Sequence, residues 1–276
     1  MAIYPWCFYQ NSICKVKDAG LALNDLAALR GYAIFDFLRT YHKKLFLPDY
    51  YLERFFNSAN ALHIAPAINK KELESIIMQL LEHNDPVQYV GIRLIATGGP
   101  AEDSVTVSQP SFYILVEDLV QYPPTNYTEG IKLVTLEYQR PLPKVKTTNY
   151  QVALLHFPEA KKGGASEILY KSNGKLLECT RNNFFLIKDE TIITPVEDIM
   201  QGCTRRFVIE LARSQKIAVE ERVILESELA DADGAFITGT TRAITPVRQV
   251  DTVAFQPDMP VLAELIRAFH DRTESL

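Results

Sequence analysis

A chain of 276 residues is longer than a typical single domain, and a length prior points to about two. With 47% hydrophobic, 23% charged and 10% aromatic residues it can bury a large core, which excludes a disordered or fibrous chain. A net charge of −5 excludes a broad phosphate-binding surface, so nucleic acid is not an expected partner.

No apolar run reaches the ~20 residues of a membrane span. The start, MAIYPWCFYQNSICKVKDAG, lacks a basic stretch followed by an apolar core and a small-residue cleavage site, so the expected location is cytoplasmic. Four cysteines (Cys7, Cys14, Cys179, Cys203) and five histidines are scattered without CxxC or zinc spacing, and no metal site is expected.

In chain order, FYQNSICKVK reads as a hairpin around Asn11-Ser12, and YAIFDFLRTY as a buried strand. PDYYLERFFNSANAL switches to helical spacing, with Leu52, Phe55, Phe56, Ala59 and Leu62 on one face. Asn69 and Glu72 form a capping box that opens a helix with Leu73, Ile76, Ile77, Leu80 and Leu81 inward. QYVGIRLIATGG and SFYILVEDL follow as strands. The paired prolines of QYPPTNYTEG then interrupt both periodicities. This divides the chain into an N-terminal domain (1–120), a linker (121–128) and a C-terminal domain (129–276). After the linker come IKLVTLEYQR, EILYKS turning at Asn173-Gly174, and LLECTRNNFFLI turning at Asp189-Glu190 into TIITP. A helix after Gly202 buries Phe207, Val208, Leu211 and Ala212. The sum is an α+β protein.

Four segments carry candidate chemistry. In PLPKVKTTNYQVALL, Lys144 and Lys146 stand between a proline-rich strand end and a helix. Read alone the pair is a solvated basic loop; a functional lysine needs a dry pocket that lowers its pKa, which the flank Tyr150, Val152, Ala153, Leu154 and Leu155 could supply. In NGKLLECTRNNFF, Glu178 lies in a strand-like run, and a buried carboxylate there needs a cationic partner such as a protonated heterocyclic nitrogen. Gly202-Cys203-Thr204 places backbone N–H groups and a hydroxyl at a helix start, either an anion site or an ordinary cap by Thr204. In FITGTTRAITPV a strand feeds a Gly-Thr-Thr turn that offers hydroxyls and backbone donors to an anion.

The order lysine-before-NY, G-x-L-x-E-x4-N, TP…GxTR and TGT…ITPV resembles the signature series of fold-type IV aminotransferases. That family holds the branched-chain and D-amino acid aminotransferases and aminodeoxychorismate lyase. Upstream, IFDFLRT resembles the family's FE-x-x-R strand and YLERFFNSANAL its H-x-x-R-L helix, so the likeness covers about residues 8 to 250. It implies a smaller N-terminal α/β sandwich and a larger β-rich C-terminal domain, with pyridoxal 5'-phosphate in the cleft between them, and a homodimer. By position it implies Lys146 as the Schiff-base lysine, with Lys144 as the alternative. Tyr150 would serve the phenolic oxygen and Glu178 the pyridine nitrogen. Arg54, Cys203, Thr204 and Thr240 would serve the phosphate, and Met200 the ring face.

Several positions depart from the pattern. Asp36 replaces the glutamate of FE-x-x-R, and Tyr51 replaces the histidine before the phosphate arginine. TGGPAEDSV lacks the arginine–histidine pair with which the D-amino acid branch traps the substrate carboxylate. Arg30, reaching across a dimer interface, and Arg181 are the expected substitutes, with Thr241 beside them. The reading is ping-pong transamination between a D-amino acid and a 2-keto acid (2-oxoglutarate or pyruvate). Branched-chain L-amino acid transamination and the carbon–nitrogen lyase reaction are the alternatives within the family; a binding protein that lost the chemistry is the alternative outside it.

Overall fold

Alternation of buried and exposed side chains shapes the first half of the chain, and near-continuous apolar strands shape the second. The computed structural model describes residues 2–276, which divide into two compact units. The first comprises residues up to Val120 together with Val145–Asn149, and the second comprises Gln121–Lys144 and Tyr150–Ser275.

The first unit holds β1 (Trp6–Tyr9), β2 (Ser12–Lys15), α1 (Leu26–Arg30), β3 (Ala33–Tyr41), β4 (Lys44–Leu45), α2 (Pro48–Ala61), α3 (Lys70–Asn84), β5 (Val90–Thr97) and β6 (Phe112–Asp118). Its sheet is antiparallel, in the order β2-β1-β6-β5-β3-β4. The β1–β2 hairpin pairs Tyr9 with Ser12, so it turns at Gln10-Asn11, one residue before the expected position, and Gln10 takes the positive φ of 54°. On α2, Leu52, Phe55 and Ala59 are buried as the spacing predicts, and Phe56 is half-buried. The Asn69–Glu72 capping box is formed, and Leu73, Ile77, Leu80 and Leu81 of α3 are buried, with Ile76 at the margin. Buried Asp25 caps α1, accepting from the backbone N–H of Ala27 (2.8 Å) and the hydroxyls of Thr97 (2.8 Å) and Ser111 (3.0 Å).

The second unit holds α4 (Thr125–Thr128), β7 (Ile131–Glu137), α5 (Gln151–Lys162), β8 (Glu167–Ser172), β9 (Lys175–Cys179), β10 (Asn183–Lys188), β11 (Thr191–Thr194), α6 (Cys203–Ser214), β12 (Val219–Glu221), β13 (Ile224–Leu225), β14 (Gly234–Gly239), β15 (Ala243–Val250), β16 (Val253–Ala254) and α7 (Pro260–Glu274). Its strands run β12-β11-β10-β14-β15-β7-β8-β9-β13, and an added β9–β10 pairing at Glu178 and Asn183 closes a barrel-like path. Alternate residues of β7 and β8 divide between two cores: Ile131, Leu133 and Leu169 join Phe184 and Ile237, while Ile168 and Tyr170 join Ala160 and Ile199. Phe185 stacks on Phe236 across β10 and β14 with ring centroids 4.5 Å apart.

The run LLECTRNNFFLI is therefore two strands. Residues 180–182 turn between β9 and β10, and the Cys179 N–H donates to the Asn182 carbonyl (2.8 Å). Strand propensity is high on both sides, and only the closing of the barrel requires the break. Three helices had no sequence signal singled out for them: α1, the short α4 inside the expected linker, and α7, whose Phe269 packs on Phe207 of α6. Among the described residues, no helix is long and apolar enough to cross a membrane.

Candidate functional site

Lys146 belongs to a stretch that lies along β3 of the first unit. The Phe35 N–H donates to the Lys146 carbonyl (2.9 Å), and the Thr148 N–H to the Ala33 carbonyl (3.0 Å). The Lys146 N–H donates to the hydroxyl of Ser58 (3.1 Å), itself buried on α2. Its Nζ stands 4.3 Å from the centre of the Phe35 ring. Lys146 is half-buried, whereas Lys144 is exposed.

Four residues before Ser58 on α2, Arg54 makes a two-point ion pair with fully buried Asp36, Nε to Oδ2 at 2.9 Å and Nη2 to Oδ1 at 2.6 Å. The aspartate that replaces the expected glutamate thus fixes this guanidinium, and Tyr51 packs 5.3 Å from it. Arg30 lies on the exposed end of α1, where Nη1 donates to the Leu29 carbonyl (2.9 Å) and Gly31 ends the helix in the left-handed conformation.

Most of the remaining candidates lie near the closing rung of the second unit. Glu178 is buried, and its partner is Arg140, whose Nε donates to Oε1 at 2.9 Å. The other oxygen, Oε2, accepts from the backbone N–H of Met200 (3.0 Å). The Met200 carbonyl in turn accepts from the Asn183 side chain (2.7 Å). One carboxylate and one amide therefore anchor the loop that leads into α6. Tyr150 begins α5; burial pushes its phenol above the ordinary range, with Glu178 adding to the shift and Arg140 opposing it.

The N-cap of α6 is Gly202, so Thr204 lies inside the helix rather than capping it, and Cys203, Thr204 and Arg205 are buried in its first turn. A Cβ at Gly202 would meet the Asn183 side-chain oxygen at 2.0 Å, so this backbone must be glycine to approach so closely. Arg205 ties the turn down, donating to the Thr194 hydroxyl (3.2 Å), the Pro195 carbonyl (2.9 Å) and Glu221 (3.1 Å). Thr240 and Thr241 form the turn between β14 and β15, and the Thr241 hydroxyl contacts the Tyr122 hydroxyl at 3.3 Å.

Arg181 sits in the turn between β9 and β10, half-exposed, 5.3 Å over the Phe157 ring and 3.3 Å from Glu167, which is fully buried. Burial disfavours its charge, yet the Glu167 carboxylate holds the guanidinium above its usual range. Glu167 also accepts from the Thr180 hydroxyl.

The apolar flank of the lysine does not form the expected dry wall. Val152 and Ala153 turn inward to differing degrees, but Leu154 and Leu155 are 72% and 75% exposed. Helical periodicity puts them on the face of α5 away from β8, a choice that composition does not reveal.

Arg140, Glu167 and Ser58 were not among the residues that the sequence singled out, whereas Asn183 is the asparagine that ends the E-x4-N motif. Glu178's need for a cation was legible, and Arg140 in YQRPLP was available to meet it. The serine carries no such signal, because its role comes from a residue distant along the chain.

A family model described as amino-transferase class IV matches residues 33–250. The chain is 30% identical over 246 residues to a protein of Methanocaldococcus jannaschii named a branched-chain-amino-acid aminotransferase, covering 85% of this chain and 84% of the relative. It is 26% identical over 269 residues to the D-alanine aminotransferase of Listeria monocytogenes, covering 94% and 93%. The fold matches the branched-chain amino acid aminotransferase of Escherichia coli with a TM-score of 0.91 at 24% identity, over 97% of this chain and 94% of that one.

Proposed function

Because the chain belongs to the class IV aminotransferases, whose cofactor is pyridoxal 5'-phosphate, we propose that it transfers an amino group between a D-amino acid and a 2-keto acid through an arginine-based carboxylate site. The donor set suits the cofactor. Glu178, a buried carboxylate braced by Arg140 and the Met200 N–H, would hold the protonated ring nitrogen, and Tyr150 the phenolic oxygen. The first turn of α6 at Cys203 and Thr204, the Thr240 hydroxyl and Arg54 would hold the phosphate, with Met200 against the ring. Bound there, the cofactor supplies an electron sink for charge on the substrate's α-carbon.

Lys146 would supply the amine that holds the cofactor and, once the substrate's own amine has released it, would move the α-proton as base and afterwards as acid. The aromatic face of Phe35 and the backbone bond to Ser58 restrict where that amine can reach. Arg30 and Arg181 take the substrate carboxylate, with Thr241 beside them.

The observation that carries the reading is Arg181. Its guanidinium is positioned by Glu167 and Phe157 while half of it stays open to a ligand. Likeness to D-alanine aminotransferases over 94% of the chain supports the D-branch. The 30% identity to a relative named for branched-chain amino acids favours the second reading, transamination of L-leucine and its kin. We also propose a homodimer, for which exposed Leu154 and Leu155 offer an apolar contact.

The test is the absorbance of the cofactor-loaded protein on adding D-glutamate, D-alanine, L-leucine and L-glutamate in turn. Bleaching of the yellow band by D-amino acids alone is expected. Bleaching by L-leucine would move the chain to the second reading, and indifference to all four would favour the lyase reaction.

A further inference from the structure

Buried polar atoms without hydrogen-bond partners are rare in folded proteins, and here most of them gather in one place. Among the described residues, four of the five such atoms are the Asn182 side-chain oxygen, the Thr238 hydroxyl, and Nε and Nη1 of Arg242, at the tip of the β14–β15 hairpin and the turn that pairs with it; the fifth, Glu117 Oε1, lies in the first unit beside Arg93. Arg242 is 4% exposed. Its Nη2 makes one long bond, 3.4 Å, to the Ser166 carbonyl, and its guanidinium lies 3.9 Å from the centre of the Tyr122 ring. It forms no ion pair among the described residues.

Charge leads to the same conclusion. The carboxylates of Glu167 and Glu178 and the guanidiniums of Arg181 and Arg242 all act on the buried thiol of Cys179. Glu167 is taken by Arg181, and Glu178 by Arg140. Arg242 is left as a desolvated cation facing an aromatic ring, an arrangement that favours an incoming anion.

We propose that Arg242 is a substrate-binding residue that takes a carboxylate of the amino acid or keto acid, and that Tyr122 is the movable cover over it. A cation–π stack is weaker than charge-assisted hydrogen bonds to a carboxylate, so the ligand displaces the ring. Tyr122 is held in place by its 3.3 Å contact with the Thr241 hydroxyl, in the same turn as Arg242. The assignment rests on the aminotransferase reading, but it is independent of whether the substrate is D or L.

Glutarate, an achiral and unreactive dicarboxylate, separates the two questions. Its affinity for the cofactor-loaded full chain is measured by calorimetry, alongside the affinity of each apo-protein for pyridoxal phosphate. Arg242→Gln is expected to weaken glutarate at least tenfold while cofactor affinity stays within twofold. Unchanged glutarate binding, or no binding by the parent protein, overturns the proposal. So does a loss confined to the cofactor, which would assign Arg242 to the phosphate. Should Arg242→Gln fail to fold, Tyr122→Ala carries the test. It uncovers the guanidinium and is expected to speed glutarate association several-fold; an unchanged or slower rate overturns the cover. A failure of the D-amino acid reading would show only in the bleaching experiment and would leave these outcomes intact.

Discussion

Lys146 is half-buried over Phe35 and tied by its backbone to α2, whereas Lys144 two residues earlier is exposed. Lys146→Ala should therefore lower the rate of amino transfer by about 10²–10⁴-fold, the range typical of a lost acid–base group, while Lys144→Ala leaves it near the parent value. Steady-state rates of the two variants check this. The Glu178–Arg140 pair is buried enough that breaking one side strands the other. Arg140→Ala is expected to cost about 3–5 kcal/mol in urea unfolding, and the double variant with Glu178→Gln less than the two single costs added together. Alkaline stability follows from Cys7, whose thiol is pushed up to about 12 by burial and by its hydrogen bond with Cys14. From about pH 9 to 12 the unfolded chain gives up a proton that the folded chain retains, so stability is full below that window and falls as pH rises through it. Burial raises Tyr113 and Tyr150 as well, which extends the loss in the same direction. Unfolding free energies measured across that window should show the decline, with a shallower slope in Cys7→Ala.

Elements place these residues by their ends more than by their middles. The α3 capping box is local and self-contained, so Asn69→Ala should cost about 1 kcal/mol with an unchanged denaturant slope. The start of α6 depends instead on remote partners. Gly202 fits only because no Cβ intrudes on Asn183, and the Asn183 amide holds the Met200 carbonyl. Gly202→Ala should cost about 1–3 kcal/mol and also weaken cofactor binding, since the loop that carries Met200 must shift. Chemical denaturation and cofactor titration of the same variant separate the two effects. Asn69→Ala serves as the control whose cofactor affinity does not change.

For the whole molecule, a six-stranded antiparallel sheet buries its own apolar side chains and a barrel-like sheet divides its own between two clusters. Leu154 and Leu155 belong to none of these. If they serve contact between copies of the chain, Leu154→Glu with Leu155→Glu shifts the protein toward monomer in sedimentation velocity, without loss of secondary structure. An unchanged mass would remove these leucines from the interface.

Periodicity alone determined α2, α3, β3 and the capping box, because helical and strand patterns and caps are local properties of ten or fifteen residues. The family-like order of motifs around Lys146, Glu178, Gly202 and Thr240 was likewise legible, since it is written along the chain. Tertiary structure decided the rest. It broke LLECTRNNFFLI into β9 and β10, because closing the barrel at Glu178 and Asn183 requires a turn that strand propensity does not announce. It paired Glu178 with Arg140, Arg181 with Glu167 and Lys146 with Ser58, and left Arg242 facing Tyr122. Those contacts join residues from 14 to 120 positions apart, and they form only once the strands have brought the residues together.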